Sequence, residues 1–246
     1  MIRKLDDSQV QDFDSEYVDD RRWQLIEACI ERDFPDGKFT FLDIGGGNGV
    51  FADRILGKYT GSSCTVLDNS EYLLSLNKES DRKTIVCESV ENLGGALAGR
   101  KYDIVFLNWL LHHLVSGSYN KTRSNMVECL TQATGLLSPR GRVSVFENLY
   151  DGLLFDAFPG YFIYRLTASR MLAPLTKRLG ANTAGVGVCF LSRREWEKTV
   201  GSSGLAVASF DTDFKKNLPL HRKLMLHLKD LEVGLFWCRA GDSGAG

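Results

Sequence analysis

Short apolar runs alternate with amphipathic stretches through residue 147, and that alternation is the first structural signal in the chain. Residues 8–34 read as helical: Trp23, Ile26, Cys29 and Ile30 recur at helical spacing, and Phe34-Pro35-Asp36-Gly37 closes the segment. Phe39 to Ile44 is a short apolar strand that runs directly into Gly45-Gly46-Gly47-Asn48-Gly49. Val50, Phe51, Ala52, Ile55 and Leu56 then make a helical apolar face that ends between Gly57 and Gly61. Cys64 to Leu67 predicts a second strand finishing at Asp68, Glu71 to Leu76 a helix, and Thr84 to Cys87 a third strand finishing at Glu88. Tyr102 to Leu107 predicts a fourth strand ending at Asn108, and Thr122 to Leu137 a helix. Ser138-Pro139-Arg140-Gly141 reads as a turn, and Arg142 to Phe146 as a fifth strand ending at Glu147.

After Glu147 the alternation breaks. Residues 148–191 carry Phe155, Phe158, Tyr161, Phe162 and Tyr164, then the run Gly180 to Val188, which contains Gly185 and Gly187. This predicts a helical insertion followed by a glycine-rich loop. Ser192-Arg193-Arg194-Glu195 is a capping box opening a helix through Val200. Leu205 to Phe210 and Val233 to Arg239 predict the last two strands, and residues 241–246 a disordered tail. Strands alternating with helices imply an α/β fold around an open, mostly parallel sheet. The expected organisation is one domain: an N-terminal helical cap (1–36), a core (37–147), the insertion (148–191) and closing elements (192–240).

Composition narrows the class. The 246 residues are 43% hydrophobic and 25% charged, enough to bury a core and unlike a disordered chain. A net charge of -1 argues against a broadly basic nucleic-acid surface. Six cysteines show no C-x-x-C spacing and no Cys/His cluster, so no metal site is expected, and the expected state is reduced, buried thiols in a cytoplasmic protein. The longest apolar run, near residues 104–115, is interrupted by Asn108, His112 and His113 and falls short of a membrane span.

In such sheets ligands bind at the carboxyl ends of the strands, where strand order reverses. Those ends carry Asp43 and Gly45, Asp68, Glu88, Asn108 and Glu147, a concentration of acids. A strand, a glycine turn and a helix together make a nucleotide site, because glycine lets backbone approach the ligand and a helix N-terminus offers free N–H groups. Two cofactor classes use it. Gly47-Asn48-Gly49-Val50-Phe51-Ala52 satisfies G-x-G-x-x-A, so an NAD(P)-dependent oxidoreductase stays open. Asp43, two residues before the first glycine, sits badly beside a pyrophosphate and well beside a cationic ligand.

Phe41-Leu42-Asp43-Ile44-Gly45-Gly46-Gly47-Asn48-Gly49 resembles the first motif of class I S-adenosylmethionine-dependent methyltransferases. The resemblance covers residues 38–147, with closing strands to 239. It implies a Rossmann-like, seven-stranded, mostly parallel sheet with helices on both faces. It also implies S-adenosylmethionine as cofactor, with S-adenosylhomocysteine as product. By the same resemblance Gly45, Gly47 and Gly49 lie beneath the methionine part of the cofactor, and Asp43 holds its ammonium. Asp68, with Asn69 beside it, matches the acid that accepts both ribose hydroxyls; Glu88 and Ser89 match the adenine position. Asn108 and Trp109 match the position next to the methyl group. For Asp68 and Glu88 a competing reading is a plain helix cap.

Tyr17 and Arg22 are candidates to cover the methionine carboxylate. His112 and His113 are the candidate general bases, since imidazole takes a proton near neutral pH. Glu147, a third catalytic candidate, and Tyr150 lie past the fifth strand and are expected to border the same cleft. Asn108-Trp109-Leu110-Leu111 lacks the Asn/Asp-Pro-Pro-Tyr pattern of relatives that methylate planar nitrogens. The expected substrate is therefore a small apolar or aromatic acceptor, methylated on oxygen or carbon, beneath a lid formed by residues 148–191. The insertion has a second reading as a homodimer interface. The alternative chemistry is a non-methylating reaction on the same cofactor fold, such as a cyclisation.

Overall fold

The computed structural model describes residues 2–3, 18–178, 180–215 and 219–241. Seven strands form one sheet in the order β3-β2-β1-β4-β5-β7-β6. The first five are parallel: β1 (Thr40–Ile44), β2 (Ser63–Asp68), β3 (Lys83–Cys87), β4 (Tyr102–Asn108) and β5 (Leu137–Gly152). The last, β7 (Leu228–Ala240), runs antiparallel between β5 and β6 (Leu205–Lys215). The chain leaves β1 toward β2 and β3, then returns to lay β4 on its other side. That reversal opens a crevice above the carboxyl ends of β1 and β4.

Strand side chains alternate between two buried layers. Phe41, Ile104, Phe106 and Trp237 pack toward α1 (Asp20–Asp33) and α2 (Val50–Lys58), while Leu42, Ile44, Val105 and Leu107 pack toward the opposite helices. A sheet covered on both faces needs apolar residues at nearly every position, which is why its strands read as continuous hydrophobic runs. The α1 stripe of Trp23, Ile26, Cys29 and Ile30 is buried as its spacing predicts, and the Asp19 side chain caps it by accepting from the Arg22 N–H. Short α3 (Glu71–Ser75) and α4 (Leu93–Ala96) follow β2 and β3, and α5 (Tyr119–Gly135) packs on the far face.

Several boundaries differ from the sequence reading. The fifth strand does not stop at Glu147: Asn148 to Gly152 continue it by pairing with Val233 to Leu228, so the first five residues assigned to the insertion are strand. The last two strands are longer than predicted for the same reason. The link between them contains α9 (Leu220–Met225). The Ser138–Gly141 turn is an excursion within β5, whose pairing with β4 jumps from Tyr102↔Leu137 to Ile104↔Arg142. The insertion proper holds α6 (Phe158–Thr167) and α7 (Ala173–Arg178).

The helix α8 (Arg193–Ser202) begins at Ser192, whose hydroxyl accepts from the Glu195 N–H at 3.2 Å. Only half of the capping box forms, because the Glu195 carboxylate turns to Arg123 instead. Trp196, fully buried, anchors this helix to the core. Five cysteines are buried as expected, but Cys87 is exposed at the edge strand β3. The predicted tail beyond residue 241 lies outside the described residues. Among those residues no helix is long and apolar enough to cross a membrane, and no group of three or more His, Cys, Asp or Glu side chains could hold a metal.

Candidate functional site

The glycine turn after β1 faces a cleft of about 920 Å³ that opens above the strand ends. Gly45, Gly47 and Gly49 adopt φ of 73°, 49° and 73°, a region other residues enter only with strain. The Gly45 N–H donates to the Leu67 carbonyl at 2.7 Å, which ties the turn to the end of β2. Gly45, Gly46 and Gly47 line the cleft; Gly49 does not. It is the left-handed N-cap of α2, and a Cβ on it would stand 1.8 Å from Asn77 Oδ1. Gly49 therefore has a packing reason to be glycine, independent of anything bound in the cleft. In the G-x-G-x-x-A register it is the glycine that would have to approach a pyrophosphate. Gly46, which the motif passes over, lies against the acid: a Cβ there would be 2.6 Å from Asp43 Oδ2 and 2.8 Å from Val66 Cγ1.

Asp43 is 2% exposed, and its Oδ2 has no hydrogen-bond partner. Burial, reinforced by the neighbouring Asp68 and opposed by Lys83, raises its carboxyl to about 7. Asp68 accepts from the Gly47 N–H at 3.1 Å and the Ser70 N–H at 2.8 Å, and burial raises its pKa in spite of those bonds. The reading of Asp68 as a mere helix cap fails, because the Ser70 hydroxyl caps α3. Asn69 lies exposed on the same rim. Glu88 lines the wall but turns its carboxylate onto its own loop, accepting from the Ser89 N–H at 2.7 Å and Asn92 Nδ2 at 3.0 Å. The Ser89 hydroxyl caps the following turn, accepting from the Glu91 N–H.

At the end of β4, both polar side-chain atoms of Asn108 are buried without a partner, and Asn108 lines the cleft. An amide left unpaired in this way is costly unless a ligand completes it. Trp109 follows with φ 50°, stacked on Phe146 at 4.8 Å, while the Arg22 guanidinium lies 4.9 Å from its ring centre. Arg22 is held in place by Asp213, 2.8 Å away and 4% exposed, from strand β6. Sequence reasoning missed Asp213, which is distant in the chain and carries no motif. Tyr17 lies outside the described residues.

A second group of cleft residues is built around one pair. His112 Nδ1 is 2.7 Å from Glu147 Oε2, and the His112 N–H donates to Glu147 Oε1 at 3.3 Å. Glu147 is fully buried and does not line the cleft, so its expected place as a direct contact is corrected: it stands behind His112. His113 also lines the cleft, but burial and the adjacent His112 push its pKa well below the ordinary imidazole value. Burial raises the Tyr150 phenol to about 12, so it stays protonated. Its ring stacks on Phe190 at 4.3 Å, and Phe190 in turn lies 5.0 Å from the His112 ring. Phe190 bears no sequence signal as a site residue.

The insertion contributes Ile163, Thr167, Asn182, Thr183 and Val188 to the cleft. Its aromatic run does not face inward: Phe155, Phe158 and Tyr161 are 69%, 41% and 45% exposed. Tyr164 is buried instead, donating to the Ser116 carbonyl at 3.0 Å. Ile2 and Arg3 close the same wall. The Arg3 guanidinium donates to the carbonyls of Ala168 at 2.9 Å and Val186 at 3.0 Å.

Comparison with known proteins agrees with this fold. Residues 42–143 match a family model described as a methyltransferase domain. No curated protein sequence matches. Among solved structures, the mitomycin 7-O-methyltransferase MmcR superposes with a TM-score of 0.55 at 17% identity, over 91% of this chain and 58% of that one. A putative sarcosine dimethylglycine methyltransferase from Galdieria sulphuraria gives 0.58 at 14% identity, over 90% and 85% of the two chains. The [4+2]-cyclase SpnF gives 0.59 at 13%, over 89% and 80%. At these identities the likeness is one of fold, and this chain spans 58% of the mitomycin enzyme's length.

Proposed function

We propose that this chain, a member of the class I S-adenosylmethionine-dependent methyltransferase superfamily, transfers a methyl group from S-adenosylmethionine to a hydroxyl of a small aromatic or apolar acceptor. One observation carries the reading: His112, backed by the buried Glu147, and an acid-flanked glycine turn line a single cleft of about 920 Å³.

The residues suit the cofactor. The unpaired Asp43 Oδ2 and the unpaired Asn108 amide are buried polar groups that a bound amino-acid moiety would satisfy. The closeness of Gly46 to Asp43 leaves no room for a side chain between the ligand and that acid. Asp43 would meet the ammonium, Asp68 the ribose hydroxyls, Glu88 and Ser89 the adenine edge, and Arg22 the carboxylate. When bound, the cofactor supplies a methyl group already activated by its sulfonium.

The chain then has three tasks: to place the acceptor, to take its proton and to exclude water. Glu147 accepts the Nδ1 proton of His112, which leaves Nε2 as the basic nitrogen. His112 Nε2 takes the hydroxyl proton as the oxygen attacks. The imidazolium so formed rests against a fully buried carboxylate. A positioned base of this kind is worth about 10²–10⁴ in rate, and orientation supplies the rest. Phe190 and Tyr150 offer a flat apolar wall for a planar acceptor. The same pair favours methylation over a cyclisation, which needs no hydroxyl deprotonated. Unpaired, mostly buried thiols fit a reducing compartment, and we place the protein in the cytoplasm.

The test is calorimetric titration with S-adenosylhomocysteine and with NAD, followed by release of S-adenosylhomocysteine from S-adenosylmethionine across a panel of phenols. Binding of S-adenosylhomocysteine, lost in Asp68→Ala, is expected. Binding of NAD alone would refute the proposal.

A further inference from the structure

A buried cation lies behind the glycine turn, outside the cleft and unused by any role above. Lys83, at the start of β3, has a side chain 1% exposed, and its Nζ is 2.5 Å from Asp53 Oδ1 on α2. The same Nζ donates to Asn77 Oδ1 at 3.4 Å. Lysine can only donate, so this contact fixes which end of the Asn77 amide faces it. The other end, Nδ2, donates to the Gly47 carbonyl at 2.8 Å and the Leu74 carbonyl at 3.2 Å. The Gly47 N–H, on the opposite side of the same residue, reaches Asp68 Oδ2 at 3.1 Å. The glycine at position 49 leaves open the space that Asn77 Oδ1 occupies.

A continuous path therefore runs from Lys83 through Asn77 and Gly47 to the acid assigned to the ribose. A second branch runs from Lys83 to Asp53, in the first turn of the helix that the glycine turn begins. We propose that Lys83 is a positioning residue for the cofactor: it orients the Asn77 amide and so holds the Gly47 backbone and Asp68 in their binding geometry. This rests on the reading that the cleft takes S-adenosylmethionine. Lys83 has a second effect, on charge. The groups acting on the buried Asp43 carboxyl are Asp68 from β2, which opposes its ionisation, and Lys83 from β3, which favours it. The Cys64 thiol beside it on β2 is itself raised to about 12 and stays neutral.

The experiment measures S-adenosylhomocysteine affinity by calorimetry from about pH 5.5 to 8.5 for the wild type, Lys83→Met, Lys83→Arg and Asn77→Ala, a window that brackets the perturbed carboxyl. Asn77→Ala, which keeps the Lys83–Asp53 pair, should bind about tenfold more weakly with the pH midpoint unchanged. Lys83→Met should lose at least about as much and move the midpoint upward, and Lys83→Arg should restore part of both. A purely structural lysine would lower the melting temperature without moving that midpoint. Native affinity and a native midpoint in Lys83→Met would overturn the proposal while leaving the cofactor reading intact. A wild type that binds no S-adenosylhomocysteine overturns both. Should Lys83→Met fail to fold, native affinity in Asn77→Ala would refute the path.

Discussion

Asp43 should make cofactor binding depend on pH in a range where carboxylates are ordinarily silent. Three features of its surroundings set the size of the effect: 2% exposure, an unpartnered Oδ2, and Asp68 as a like-charged neighbour, with Lys83 alone opposing them. Together they hold the carboxyl at about 7 in the unliganded protein. A cationic ammonium binds the ionised form, so affinity follows the ionised fraction. That fraction falls from about nine-tenths at pH 8 to about one-tenth at pH 6, which predicts about tenfold weaker S-adenosylhomocysteine binding, roughly 1.4 kcal/mol. The ligand's own ammonium stays protonated across this window.

Calorimetry at constant ionic strength reads the effect twice. Affinity drops below pH 7, and in buffers of differing ionisation heat the apparent enthalpy reports about one proton released per binding event near pH 6. Asp43→Asn should bind weakly at every pH and lose the dependence. The sign for stability is opposite. A carboxyl raised on folding favours the unliganded fold at low pH, and that contribution is lost as pH rises through about 7. A flat affinity profile in the wild type, or the same slope in Asp43→Asn, would refute the assignment of Asp43 to the ammonium.

Three further outcomes follow from the geometry. Glu147→Gln should lower turnover of a phenolic acceptor by about 10²–10⁴ with S-adenosylhomocysteine affinity unchanged, measured as product release; an equal loss of cofactor affinity would show that the pair serves binding instead. Gly46→Ala puts a Cβ 2.6 Å from Asp43 Oδ2 and should cost about 1–3 kcal/mol of stability along with cofactor affinity; an unchanged melting temperature would contradict the tight packing. Arg3→Ala removes the donor that joins the Ala168 and Val186 carbonyls, so limited proteolysis within residues 168–187 should accelerate while the global melting temperature moves little; native cleavage kinetics would show that the contact holds nothing.

The rim proposed for the cofactor was legible as one cleft wall because its residues stand at the ends of strands that the hydrophobic pattern locates within a residue or two. Asp43, Asp68, Glu88 and Asn108 each close an apolar run, and parallel strands bring such ends to one rim whatever the loops do. Gly49 has a second reason to be glycine that the sequence does not show. A glycine that frees backbone for a ligand and one that makes way for a neighbouring side chain look identical in sequence, and only the Asn77 contact separates them. The insertion was legible only in part. It lines the cleft, but through Ile163 and Thr167 of α6 rather than through the aromatic run that suggested a lid, whose Phe155, Phe158 and Tyr161 are exposed.

The sequence by itself determined the succession of strands and helices along the chain and an open, mostly parallel sheet, both from local periodicity and from the rule that parallel strands need crossovers. The seven strands and the helices on both faces came with the resemblance of the glycine motif, and the crevice above β1 and β4 with the observed strand order. The tertiary structure decided which groups act together. His112 meets Glu147 from 35 residues away, Arg22 meets Asp213 from 191, and Asn77 meets Gly47 from 30. Pairings of that kind leave no periodic trace, because the sheet rather than the chain sets the distance between them. Burial of Asp43 and Glu147, which gives each acid its chemistry, exists only once both faces of the sheet are covered.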